Sequence, residues 1–114
     1  IIKKESKKLD FSKPRTYLIK SLYSLQLKNW LTTFSKNQLY FLSTEQLASK
    51  PNETMSGIFN FLELPQYTLP KFKKEKQAIY PEMNSHTRKN LLEFFKSYNN
   101  ELFSLIGQDF LWNK

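Results

Sequence analysis

Between Leu39 and Leu64 the sequence reads LYFLSTEQLASKPNETMSGIFNFLEL, and no other stretch limits the folding options of this chain as strongly. Its first part, Gln38 to Ser43, is a short run of aromatic and aliphatic residues of the kind that forms a buried strand. Elsewhere the apolar residues follow helical spacings, so the chain reads as one strand among about four helices. A lone strand leaves both of its edges unpaired, which makes a poor self-standing α/β domain. The expectation is a mainly α-helical segment with one short buried strand, completed by partner strands from elsewhere.

The helical segments are read from period and punctuation. Residues 1–14 are polar and lysine-rich, end at Pro14, and fit either a loop or the tail of a helix that begins upstream. From Thr16 to Phe34, Ile19, Tyr23, Leu27, Trp30 and Phe34 recur at helical intervals, with Leu18, Leu22 and Leu25 widening the stripe. Aromatics at such intervals are expected in the core. A further helix starts at Pro51, where the missing N–H costs nothing, and Glu53 suits the positive end of its dipole. Met55, Ile58, Phe59 and Leu62 form its expected buried face. Pro65, Pro70 and Pro81 bracket a long irregular stretch that carries Lys71, Lys73, Lys74 and Lys76. The last helix is expected from Asn84 to Ile106, with an interruption allowed around Asn99, and Gly107 stops it. Asp109 to Trp112 are expected to fold back and bury their aromatics.

The formal net charge is +8, with 18 basic and 10 acidic residues, which favours anionic partners. Sixteen of the basic residues are lysine. Arginine is the usual reader of base edges, so a basic nucleic-acid-binding module remains an alternative rather than the leading reading. There is no cysteine, and hence no disulfide, thiolate metal site or thiol nucleophile. One histidine and no carboxylate cluster at ligand spacing give no metal site. No apolar run reaches the roughly 20 residues of a membrane-spanning helix, and no signal peptide is legible. These features suggest a cytoplasmic protein without a membrane partner.

Several motifs stand in a fixed order. Tyr23, Leu27 and Trp30 precede the strand, which ends in Ser43, Glu45 and Leu47; the proline-started helix closes with Phe61-Leu62-Glu63-Leu64. Tyr80-Pro81-Glu82-Met83 follows, then Asn99, Leu102 and the closing Gly107-Gln108-Asp109-Phe110-Leu111-Trp112. Over residues 15–114 this series resembles the C-terminal part of the sulfotransferases, the heparan-sulfate type and its bacterial relatives above all. Glu63 stands where the family carries glycine in Phe-Leu-Gly-Leu.

The resemblance implies a P-loop-like parallel sheet flanked by helices, of which residues 1–114 are the C-terminal portion. It also implies transfer of a sulfuryl group from 3′-phosphoadenosine 5′-phosphosulfate to a hydroxyl or amine on a small-molecule or carbohydrate acceptor. The family's phosphate loop and catalytic residues lie earlier in the chain, so no catalytic residue is expected here, and the missing N-terminal half is an implied partner. The only glycines, Gly57 and Gly107, are too far apart for a phosphate-cradling loop. In the family's late cofactor loop, Lys-x-Lys-Gly-Arg precedes a His-Pro or Tyr-Pro pair. Counted back from Tyr80-Pro81, Lys74 and Lys76 take the two lysine positions, Gln77 replaces the glycine and Ala78 the arginine. Lys74, Lys76, Lys73 and Tyr80 are therefore the expected cofactor-binding residues, with Lys71 able to compensate. Lysine neutralises phosphate as a point charge but lacks arginine's planar fork.

Tyr23 and Gln26 are the candidate acceptor-side residues. Glu45 is read as fixing the turn into the next segment, His86 as surface, and Arg88 as either an anion contact or a partner of Glu82. The replacements at Gln77 and Ala78 keep open a second alternative, a sulfotransferase-like interaction domain without catalytic activity.

Overall fold

The computed structural model describes residues 17–71 and 78–114. Five α-helices occur among them: α1 Tyr17–Lys20, α2 Tyr23–Leu31, α3 Thr44–Ser49, α4 Pro51–Phe61 and α5 Ser85–Ile106, with a 3₁₀ turn at Lys36–Gln38. The chain divides into two units, residues 1–35 with 82–114, and residues 36–81. No helix among the described residues is long and apolar enough to cross a membrane. The reading of residues 1–14 lies outside the described residues.

The first unit is built on α2 and α5. Among the described residues its buried apolar side chains are Ile19, Leu22, Leu27, Leu102, Phe103 and Ile106. The single helix expected from Thr16 to Phe34 is broken at Ser21 and Leu22. Ser21 Oγ donates back to the Tyr17 carbonyl at 2.8 Å, and Leu22 leaves helical geometry with ψ 70°. Side-chain donation to the carbonyl one turn back weakens a helix at that point. The break shifts the phase of the apolar stripe. Leu22 and Ser24 turn inward, while Tyr23, Trp30 and Phe34, expected in the core, are largely exposed, Trp30 at 55% and Tyr23 at 48%.

Helix α5 runs without interruption through Asn99. Asn84 caps it, its Oδ1 accepting from the His86 and Thr87 N–H groups at 2.9 and 3.3 Å. Such a cap satisfies donors that a helix start would otherwise leave open. Gly107 ends it in the left-handed conformation, φ 71°. The tail then folds back as expected. Asn99 Nδ2 donates to Asn113 Oδ1 at 3.0 Å, and Asn113 Nδ2 donates to Asn100 Oδ1 at 2.8 Å. These bonds hold the tail on the helix and bring Phe110 and Trp112 onto Phe103, at ring separations of 6.0 and 5.8 Å.

The second unit contains α3, a helix that was not expected. Its signal is a capping box: Ser43 Oγ accepts from the Gln46 N–H at 3.1 Å, while the Ser43 N–H donates to Gln46 Oε1 at 2.9 Å. Ser43 and Gln46 thus fix the turn into α3. The strand expected over Gln38 to Ser43 is not formed. Gln38 closes the 3₁₀ turn, and residues 39–43 have no regular secondary structure, since a strand exists only with a ladder partner and none is present among the described residues.

Helix α4 begins at Pro51 as expected. It ends in a Schellman motif: the Leu64 N–H donates to the Phe59 carbonyl at 2.9 Å and the Glu63 N–H to the Asn60 carbonyl at 3.1 Å. Met55, Ile58 and Phe59 are half-buried, whereas Leu62, at the helix end, is exposed. No apolar side chain among the described residues of 36–81 is fully buried.

Candidate functional site

The expected site residues are distributed over both units. Tyr23 and Gln26 belong to the first, and Tyr80 with Lys71 to the second. Lys73, Lys74 and Lys76 lie outside the described residues. Tyr80 is 81% exposed, and Ile79 beside it is fully exposed, so both side chains are free to meet a ligand or another surface. Lys71 is likewise exposed.

Tyr23 begins α2 and packs its ring 6.0 Å from Trp112 of the folded-back tail. The aromatic group Tyr23, Trp112, Phe103 and Phe110 thus joins the start of α2 to the end of α5, and one edge of Tyr23 stays open to solvent. Gln26 is already engaged. Its Nε2 donates to the Lys20 carbonyl at 2.6 Å, satisfying an acceptor that the break after α1 leaves without its helical donor. That bond makes Gln26 a positioner of the α1–α2 junction, and its amide oxygen is the part left for a ligand.

Sequence reasoning missed two features around these residues. Lys28 of α2 forms an ion pair with Glu101 of α5. Both partners are about half exposed, so the pair sets register more than stability. Ser24 is 0% exposed, and its Oγ has no hydrogen-bond partner among the described residues. The carbonyl one turn back, on Lys20, is the one that receives Gln26. Arg88 does not pair with Glu82 among the described residues; its Nη2 donates to the Lys114 carbonyl at 2.6 Å and ties the tail to the first turns of α5. His86 is exposed and meets Asn90 Nδ2 through Nε2 at 3.3 Å. No group of three or more metal-ligating side chains occurs among the described residues.

The family model described as Sulfotransferase domain matches residues 9–104. Membrane-associated sulfotransferase kil1 of Dictyostelium discoideum is 32% identical over 95 residues, covering 83% of this chain and 20% of that protein. Carbohydrate sulfotransferase 15 of Mus musculus is 31% identical over 107 residues, covering 80% of this chain and 18% of that protein. Heparan sulfate glucosamine 3-O-sulfotransferase 3B1 of Homo sapiens is 24% identical over 116 residues, with 81% and 30% covered. The chain therefore spans less than a third of the length of these relatives. No solved structure matches.

One expectation is overturned by these relatives. The cytoplasmic placement rested on composition, yet the Dictyostelium relative is membrane-associated by name. The physical flaw is plain: a chain without cysteine is indifferent to the redox state of its compartment. The strand expectation is corrected by the structure itself, in which residues 39–43 have no regular secondary structure. The family expectation stands, since the matched range takes in α2, the capping box, α4 and nearly all of α5: this chain belongs to the sulfotransferase family.

Proposed function

We propose that residues 1–114 are the C-terminal portion of a sulfotransferase domain that transfers a sulfuryl group from 3′-phosphoadenosine 5′-phosphosulfate to a hydroxyl or amine acceptor. The single observation that carries this reading is the family match over residues 9–104. Two of the matched relatives are named for carbohydrate or heparan sulfate acceptors, which supports a glycan as the acceptor class.

The donor set suits the nucleotide. Lys71, Lys73, Lys74 and Lys76 supply four ammonium groups within six positions, directly before the exposed Tyr80. When bound, the nucleotide supplies an activated sulfuryl group and a phosphate-bearing leaving group. Lys74 and Lys76 would neutralise its phosphate charge as point charges, with Lys73 and Tyr80 as further contacts. Gln77 and Ala78, in place of glycine and arginine, remove the close backbone approach and the bidentate fork. Affinity then depends on the lysines more heavily than in relatives that keep both. Tyr23 and the free amide oxygen of Gln26 serve the acceptor side. Bringing reactants into line and screening charge is the main work of such transfers, and this portion supplies the screening.

A transfer assay with labelled donor tests the proposal. The complete polypeptide is expected to label a glycan acceptor, and the 114-residue chain alone is not. Replacing Lys74 and Lys76 together by alanine should lower kcat/KM at least about tenfold, from the loss of two charge-assisted contacts. Transfer at the unchanged rate by that double variant would remove the assigned role of the loop. Nucleotide binding without transfer to any acceptor would favour the inactive, sulfotransferase-like reading.

A further inference from the structure

Asn52, Glu53 and Thr54 spell Asn-x-Thr with a residue other than proline in the middle, the acceptor pattern for asparagine-linked glycosylation. Of the nine asparagines in the chain, Asn52 alone stands two residues before a serine or threonine. Other asparagine side chains are used by the fold: Asn84 caps α5, Asn99 and Asn113 clasp the tail, and Asn60 Oδ1 accepts from Gln66 Nε2. The Asn52 amide has no such partner among the described residues, and the residue is exposed as the second of α4.

The surroundings leave room for a bulky substituent. Asn52 follows Pro51 in the first turn of α4, and the flanking Lys50 and Glu53 pair with each other while their side chains stay 68% and 74% exposed. A neutral sugar leaves that pair, and the favourable placement of Glu53 at the helix start, unchanged. Thr54 is engaged differently. Its Oγ1 donates to the Gln46 carbonyl at 3.1 Å and its N–H to the Lys50 carbonyl at 2.9 Å. The hydroxyl that completes the acceptor pattern is thus tied into the α3–α4 junction once the unit has folded, so the pattern is presented while the chain is still extended. Folding then leaves Asn52 on the surface, where an attached sugar stays in solvent.

We propose that Asn52 carries an N-linked glycan. In the transfer, Asn52 Nδ2 forms a bond to the anomeric carbon of an oligosaccharide delivered on a polyprenyl pyrophosphate. The sugar–phosphate bond breaks, the lipid pyrophosphate leaves, and one of the two amide protons is released to solvent. Asn52 keeps one N–H, and nothing is oxidised or reduced. The modification requires that this segment pass through the lumen of the secretory pathway, where a glycan acceptor is also met; to that extent it rests on the proposed acceptor class. The absence of cysteine neither favours nor opposes that compartment.

Translation of the complete polypeptide with microsomal membranes tests the site, followed by peptide N-glycosidase in heavy-oxygen water and peptide mass spectrometry. Asn52 is expected to be recovered as aspartate carrying one heavy oxygen, and only after the glycosidase has acted. On gels, Asn52→Gln and Thr54→Ala should each lose the mobility step of one glycan. Thr54→Ser should keep it, since serine also supplies the hydroxyl. The readout is covalent and is set on the nascent chain, so it does not depend on how well a variant folds. An Asn52 peptide recovered unmodified, or a mobility step that Asn52→Gln leaves in place, overturns the proposal. A glycan on Asn52 in a polypeptide that transfers no sulfuryl group would keep the site and discard the functional reading. Sulfuryl transfer by a polypeptide whose Asn52 stays bare would discard the site and keep that reading.

Discussion

Glu63 holds a left-handed backbone conformation that favours glycine, and Glu63→Gly is the sharpest test of the fold. Glu63 sits at φ 56°, in the left-handed region, immediately after the cap of α4. The Schellman bonds to Phe59 and Asn60 require that conformation. A side chain there costs about 1–2 kcal/mol. Glycine removes that cost but gives back about 0.5–1 kcal/mol through the greater freedom of the unfolded chain. The net expectation is a gain of about 0.5–1 kcal/mol. A carboxylate near the negative end of a helix is also unfavourable, by about 0.3–1 kcal/mol at low salt. Glu63→Ala separates the two contributions, because alanine removes the charge and keeps the strained φ. Urea unfolding followed by far-UV circular dichroism, at low and high salt, reads both. Glycine should exceed alanine by at least about 0.5 kcal/mol at both salt concentrations. Equal effects of the two, or a loss of stability with glycine, would refute the left-handed assignment.

Three further outcomes follow from single features. Ser24→Ala should stabilise the chain by about 1–2 kcal/mol in the same assay, because it removes a buried hydroxyl that lacks a partner; a loss of that size would mean that the hydroxyl is bonded. Gly57→Ala should show its helix-propensity gain of about 1 kcal/mol only when Tyr40→Phe removes the colliding hydroxyl, so a double-mutant cycle should couple the two sites. Additive effects would contradict the contact. Asn113→Ala breaks both amide bonds of the tail clasp and should red-shift the emission of Trp112, at a cost of about 1–2 kcal/mol, with Trp30→Phe in the background to isolate the signal.

Much of the fold was legible because its boundaries carry chemistry. Asn84, Gly107 and Pro51 each announce a helix end by a side chain or a backbone constraint, and α4 and α5 begin and stop where those residues place them. The return of the tail was legible from the cluster of aromatics after Gly107. What failed depended on residues distant in sequence, or on competition for one carbonyl. The break at Ser21 and Leu22 comes from side-chain bonds to backbone carbonyls, which periodicity does not register, and it carried Tyr23 and Trp30 out of the expected core. Helix α3 was announced by Ser43 and Gln46, a signal present in the sequence and overlooked beside the apolar run. The strand failed because strand formation is a property of pairs, and Leu39 to Leu42 have no mate among the described residues.

The candidate site was legible as a resemblance more than as geometry. Tyr80 is exposed, as a ligand-facing residue must be, while Gln26 is drawn into the α1–α2 junction by the Lys20 carbonyl. No local rule reveals that a glutamine one turn into a helix serves the carbonyl of the preceding one. The lysines of the loop are defined by their count from Tyr80-Pro81, and their role rests on the nucleotide itself.

Calorimetric titration of 3′-phosphoadenosine 5′-phosphate into the complete polypeptide is the most direct measurement. Saturable binding at one site, weakened at least about tenfold by Lys74→Ala with Lys76→Ala and recovered in part by Lys74→Arg, is the predicted result. Absence of binding by a folded polypeptide, or binding that the paired alanines leave untouched, would contradict the account.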